Sequence, residues 1–138
     1  MSLAFLYPLV TEAIRRAETL EDLRAPGVHA AYLDVSLLEE KVAEFLPASD
    51  PEGALARRGA VRAALAAREL GRAQQLAQRF LAEADADAEL QASLRRLFEE
   101  TEHSTAVRFP RVAETVGMAE VRRLARALNE QGAPFPIG

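Results

Sequence analysis

The sequence predicts an all-α protein: a single-domain helical bundle of five to seven helices. Alanine is the commonest residue and leucine follows, while β-branched residues are few, and this composition favours helix over strand. Apolar residues recur at steps of three and four along most of the chain, which is the period of an amphipathic helix. With 138 residues and 49% hydrophobic content, the chain suits one folded domain.

Two helices are predicted before Pro47. Pro8 suits the first position of a helix, and the segment Thr19–Asp22 predicts a short, separately capped turn that is broken at 24–27. A second helix is predicted over about 27–46, where Pro47 ends it. The predicted core face of the first helix comprises Leu9, Val10, Ala13, Ile14 and Ala17.

A third helix is predicted over about 51–69. The sequence Ser49-Asp-Pro-Glu52 is a strong start signal, because it combines capping side chains with proline in the first turn. One side of this helix is lined by alanine, and a second apolar strip with arginines beside it suggests contact on both sides. The candidate interaction residues on that second side are Arg57, Arg58, Val61, Arg62, Leu65 and Arg68.

Two further helices follow. A fourth is predicted over about 72–84, after Gly71. Asp85 or Asp87 is expected to cap a fifth helix, since a short acidic side chain accepts hydrogen bonds from the first free N–H groups. The face predicted for its core contacts comprises Leu90, Leu94, Leu97, Phe98 and Thr101.

The remaining sequence predicts a short helix over about 110–116 and a last helix from Met118, which Gly132 closes. The helical domain is therefore expected to cover residues 1–131. Residues 132–138 are expected to form an extended, apolar C-terminal tail.

Charge is sorted along the chain. Residues 1–53 carry four basic and ten acidic side chains, a net charge of −6; residues 54–82 carry six arginines and one glutamate, a net charge of +5. Residues 83–104 carry −5 and residues 105–138 carry +2. The pattern predicts that the cationic segment pairs with the acidic helices on either side, within the subunit or across a dimer. The alternative is a basic surface for an anion or a nucleic acid.

Composition also restricts the chemistry. A chain without cysteine has no disulfide and no thiolate metal site. The apolar start lacks a basic leader region and is too short to span a bilayer, so we expect a soluble, cytoplasmic protein without membrane contact. No nucleophile elbow or glycine-rich phosphate loop occurs, and we expect no cofactor.

These observations favour a small non-enzymatic interaction module that binds itself as a homo-oligomer or binds another protein. The alternative is DNA binding through residues 110–128, where Val112-Ala-Glu-Thr-Val-Gly-Met118 is similar to the first helix and turn of a helix-turn-helix motif. That resemblance implies contacts from Arg122, Arg123 and Arg126 on the next helix. The spacing of Val121 and Leu124 departs from the motif by one or two positions.

A third possibility is a metal-dependent all-α enzyme with a carboxylate site. Glu100-Thr-Glu-His103 has the spacing of one arm of a carboxylate-bridged di-metal site, but no second arm occurs. The sequence Glu39-Glu40-Lys-Val-Ala-Glu44 resembles the acidic helix of all-α nucleotide pyrophosphohydrolases, with its third glutamate one residue late. Neither pattern supplies a full set of converging ligands, so we predict no metal residues.

Overall fold

The computed structural model describes residues 2–108, and side chains as far as Thr101. Within that range every regular element is a helix, which confirms the all-α prediction, and the five helices match the lower end of the predicted count. Their bounds are α1 Leu3–Asp22, α2 Val28–Phe45, α3 Pro51–Ala66, α4 Leu70–Leu81 and α5 Ala88–Arg108.

Helix α3 lies at the centre of the described structure. It packs on α2 along one side and on α4 and α5 along the other, while α1 packs on the outer side of α2. The alanines predicted for one side of α3 permit the close approach to α2: Ala63 shares a core cluster with Ala31 and Val35. The opposite side of α3 contributes to a separate and larger core with α4 and α5.

Helix α1 differs from its prediction, which began the helix at Pro8 and separated residues 19–22. It begins at Leu3 instead, where the Ser2 hydroxyl accepts a hydrogen bond of 3.3 Å from the Phe5 amide, and it runs without a break to Asp22. Pro8 therefore lies inside the helix, where it cannot donate a backbone hydrogen bond. The added first turn is held by Leu6, whose side chain is fully buried.

Local signals at the ends of α3 explain its bounds. The Asp50 carboxylate accepts a hydrogen bond of 2.8 Å from the Glu52 amide, and proline occupies the first helical position, as predicted. The helix ends at Ala66 rather than 69, because Arg68 adopts a left-handed φ of 61°. The Glu69 amide then bonds back to the Ala64 carbonyl at 2.9 Å, which completes a Schellman turn.

Helices α4 and α5 complete the core around α3. The Asp87 carboxylate accepts a hydrogen bond of 2.8 Å from the Leu90 amide and so caps α5, one of the two caps predicted. Leu94 is fully buried in the cluster that also contains Phe80 of α4. The helices predicted over 110–131 and the tail at 132–138 lie outside the described residues.

No described helix combines the length and apolar content that crossing a membrane would require.

Candidate interaction surface

Arg57, which the sequence marked as an interaction residue, is buried inside the chain with 5% of its surface exposed. Its guanidinium donates two hydrogen bonds, of 2.8 and 2.9 Å, to the Glu83 carboxylate at the end of α4. It donates three more to backbone carbonyls, at 2.9 Å to Leu46 and Gly53 and at 3.3 Å to Ala43. Arg57 thus ties the end of α2, the start of α3 and the end of α4 together, and its donors are already occupied.

Two other arginines of the cationic segment converge on one carboxylate of α2. Arg72 and Arg79 donate to the two oxygens of Glu40 at 2.7 and 2.8 Å. Arg72 also donates to the Ser36 hydroxyl at 3.1 Å, and that hydroxyl donates to the Ala60 carbonyl at 2.7 Å. Burial raises the pKa of Glu40, but the two arginines outweigh it and hold that pKa below its usual value. These pairs realise the attraction that the charge pattern predicted.

The remaining three arginines of that segment form no ion pair among the described residues. Arg58 is half-buried, and no described residue accepts a hydrogen bond from its Nε. Its side chain lines a small pocket between the starts of α3 and α5, with Ser93 and Arg96. Arg62 is exposed. Arg68 has the left-handed backbone conformation of the turn that follows α3.

The second apolar strip of α3 is covered by the chain itself. Val61 is fully buried and packs in the core with Leu76 of α4 and Leu94 of α5, and Leu65 packs against the same cluster while half-buried. The two-sided character of α3, from which an oligomer was inferred, therefore reflects the position of α3 between two layers of one chain. Val61 is therefore not available for contact with a second copy of the chain.

The alternative sites fall largely outside the described structure. Arg122, Arg123 and Arg126 lie beyond residue 108, and His103 lies beyond the described side chains. Among the side chains that the structure describes, no group of three histidine or acidic residues is placed to hold a metal ion. Glu39 and Glu40 diverge, since Glu40 faces the two arginines and Glu39 lies against α3.

Helices α1 and α2 carry most of the large exposed apolar side chains of the described structure. The two helices are antiparallel, because Leu6 near the start of α1 packs with Val42 near the end of α2. Six apolar side chains line or extend the outer seam between them, and we call this surface the α1–α2 face. It comprises Phe5, Leu9 and Ala13 of α1 and Leu37, Leu38 and Phe45 of α2.

The centre of the α1–α2 face is an open groove of about 430 Å³. Leu9 and Leu37, which are 40% and 45% exposed, stand on its two sides. Charged residues are also present along the groove: Glu12 and Arg16 on α1, and Asp34 on α2. An open apolar groove with charged residues at its border is suited to receive an amphipathic helix from a partner.

Glu39 is a carboxyl whose surroundings disfavour its ionised form. Its side chain lies between α2 and α3 so tightly over Gly59 that a Cβ at position 59 would overlap Oε2. No described cation lies within ion-pair distance of it, and burial raises the pKa of Glu39 to about 7.

The α1–α2 face was not recognised in the sequence, where Leu9 was assigned to the core. The reason is the start of α1. When the helix begins at Leu3, the buried positions are Leu6, Val10 and Ala17, and the same periodicity leaves Phe5 and Leu9 outside. The Ser2 cap is the signal that could have revealed this.

Comparisons with protein-family models, with curated proteins and with solved structures gave no match to this chain.

Proposed function

We propose that this chain is a small, non-enzymatic interaction module that associates with itself through the α1–α2 face. The observation that carries the proposal is the row of large apolar side chains exposed along the seam of two adjacent helices, with Phe5 57%, Leu9 40% and Leu37 45% exposed. Scattered exposed apolar residues are normal on a soluble protein, but a contiguous row along a groove is typical of an interface.

The position of this face in the fold supports the proposal. Among the described residues, helix α1 packs mainly on α2, and Phe5, Leu9 and Ile14 remain exposed on α1. Three of the six arginines of the cationic segment are already paired within the chain, Arg57 with Glu83 and both Arg72 and Arg79 with Glu40. The α1–α2 face is therefore a better candidate for the interface than the arginines are, because removing its apolar side chains from water supplies free energy of association.

Sedimentation of the full-length chain over about 1 μM to 1 mM, a range that covers weak and moderate dimers, tests the proposal. We expect the mean mass to rise toward that of a dimer within this range. Leu9→Glu and Leu37→Glu should each hold the chain at the monomer mass, because each buries a carboxylate in the interface.

The matched control is Leu55→Glu, which changes a 55% exposed leucine on α3, outside the α1–α2 face, and should leave the mass unchanged. A wild-type monomer at every concentration would refute the proposal. A cytoplasmic location is a further part of it, which cell fractionation of the tagged chain would test.

A further inference from the structure

One line of residues along α1 is self-complementary in charge. At 3.6 residues per turn, Phe5, Leu9, Glu12 and Arg16 of α1 fall within about 60° of one another, and so does Leu23, which follows the last residue of the helix in a helical backbone conformation. Three of them, Leu9, Glu12 and Arg16, line the groove of the α1–α2 face. The line therefore has an acid and a base at its centre and apolar side chains toward both ends. Glu12 is also paired with Arg15 of its own helix, but both side chains are exposed, and an exposed pair contributes little energy that an exchange of partners would have to overcome.

The order of these residues favours one way of pairing two copies. If two α1 helices meet antiparallel through this line, with the centre of the contact at the level of Ile14 along the axis, Glu12 lies opposite Arg16 of the partner subunit, and the symmetric contact repeats this pair. The Ile14 side chain itself lies on the other side of the helix. The same register places Phe5 opposite Leu23 of the partner subunit. A parallel pairing in register would instead place Glu12 opposite Glu12 of the partner subunit and each arginine opposite its equivalent.

We propose that a second copy of this chain docks its own α1 antiparallel into the groove of the α1–α2 face, centred near Ile14. This inference rests on the proposed function, and it adds the occupant and its register. The apolar side chains supply the affinity, whereas the two symmetric Glu12–Arg16 contacts select the antiparallel register, because exposed ion pairs contribute little energy but penalise wrong alignments.

Charge exchange in the full-length chain tests the register. Glu12→Arg alone and Arg16→Glu alone each create two like-charge contacts across the symmetric interface, and each should weaken the dimer about tenfold in Kd at low salt. The double variant, Glu12→Arg with Arg16→Glu, restores both opposite-charge contacts in reversed order. Its Kd should return to within about threefold of the wild-type value.

The matched controls are Arg95→Glu and Glu99→Arg on α5, two exposed residues at the same spacing on a helix that contacts α3 and α4. Neither control should change Kd. Far-ultraviolet circular dichroism confirms that each variant keeps its helix content, so that a loss of association is not a loss of fold.

The outcomes separate the two proposals. If the wild-type chain dimerises and Leu9→Glu abolishes the dimer, but the single charge variants do not weaken it or the double variant does not recover it, then the antiparallel register is wrong and the proposed function stands. A wild-type chain that stays monomeric overturns both, and in that case another occupant covers the face.

Discussion

Replacing Glu39 with glutamine should stabilise the protein at alkaline pH and have little effect in acid. The carboxyl lies against Gly59 between α2 and α3 without a described cation, so its charged form is poorly solvated. Protonated glutamic acid and glutamine have nearly the same shape, and both are neutral. The substitution therefore removes the charge while it preserves the packing.

The sign and size follow from the raised pKa of Glu39. Moving that pKa from 4.5 to about 7 corresponds to about 3 kcal/mol of unfolding free energy when the group is fully ionised. Because the side chain is half-buried and water reaches part of it, we expect a measured value of about 1–3 kcal/mol. The folded state binds the proton more tightly than the unfolded state does. The contribution of Glu39 to stability is therefore fully present below pH 4.5 and is lost as the pH rises toward 7.

Urea unfolding followed by circular dichroism at a series of pH values between about 4 and 8 measures this effect. The difference in unfolding free energy between Glu39→Gln and wild type should grow across this range, while other titrations cancel. Glu44→Gln, on the exposed side of the same helix, is the control and should shift stability by less than about 0.5 kcal/mol at each pH. A difference for Glu39→Gln that does not change with pH would refute the desolvation of the Glu39 carboxylate.

Four further substitutions test the fold by equilibrium unfolding. Arg57→Leu leaves a carboxylate and three backbone carbonyls without their hydrogen-bond donor, and should lower the free energy of unfolding by about 3–5 kcal/mol. An unchanged unfolding transition would show that these hydrogen bonds do not stabilise the fold. Gly53→Ala places a Cβ into the Pro47 carbonyl and should cost about 2 kcal/mol or more, whereas Gly71→Ala meets open space and should stabilise by up to about 1 kcal/mol. Arg68→Gly should stabilise by about 0.5–1 kcal/mol, since glycine adopts φ of 61° without strain, and any loss would contradict the turn geometry.

Local sequence signals accounted for most of the helix positions. The Asp50 cap and Pro51 start α3 where predicted, and the leucines spaced along α5 are buried as expected. These features depend on contacts within a few residues, such as a side chain that accepts from a nearby amide, so they are readable from the chain alone. The Ser2 cap of α1 is equally local, but the prediction used only Pro8, six residues later, as the start signal.

The candidate surface was not predictable in the same way. The sequence by itself determined that the chain is helical, that α3 has two apolar sides, and that its arginines have acidic partners available on both flanks. Only the tertiary structure decided which helices cover the two sides of α3, and that Arg57 is buried while Arg62 faces water. Among the described residues it also left Phe5 and Leu9 of α1 exposed. The reason is physical: periodicity specifies which residues share a face, but the burial of that face depends on distant segments packing against it.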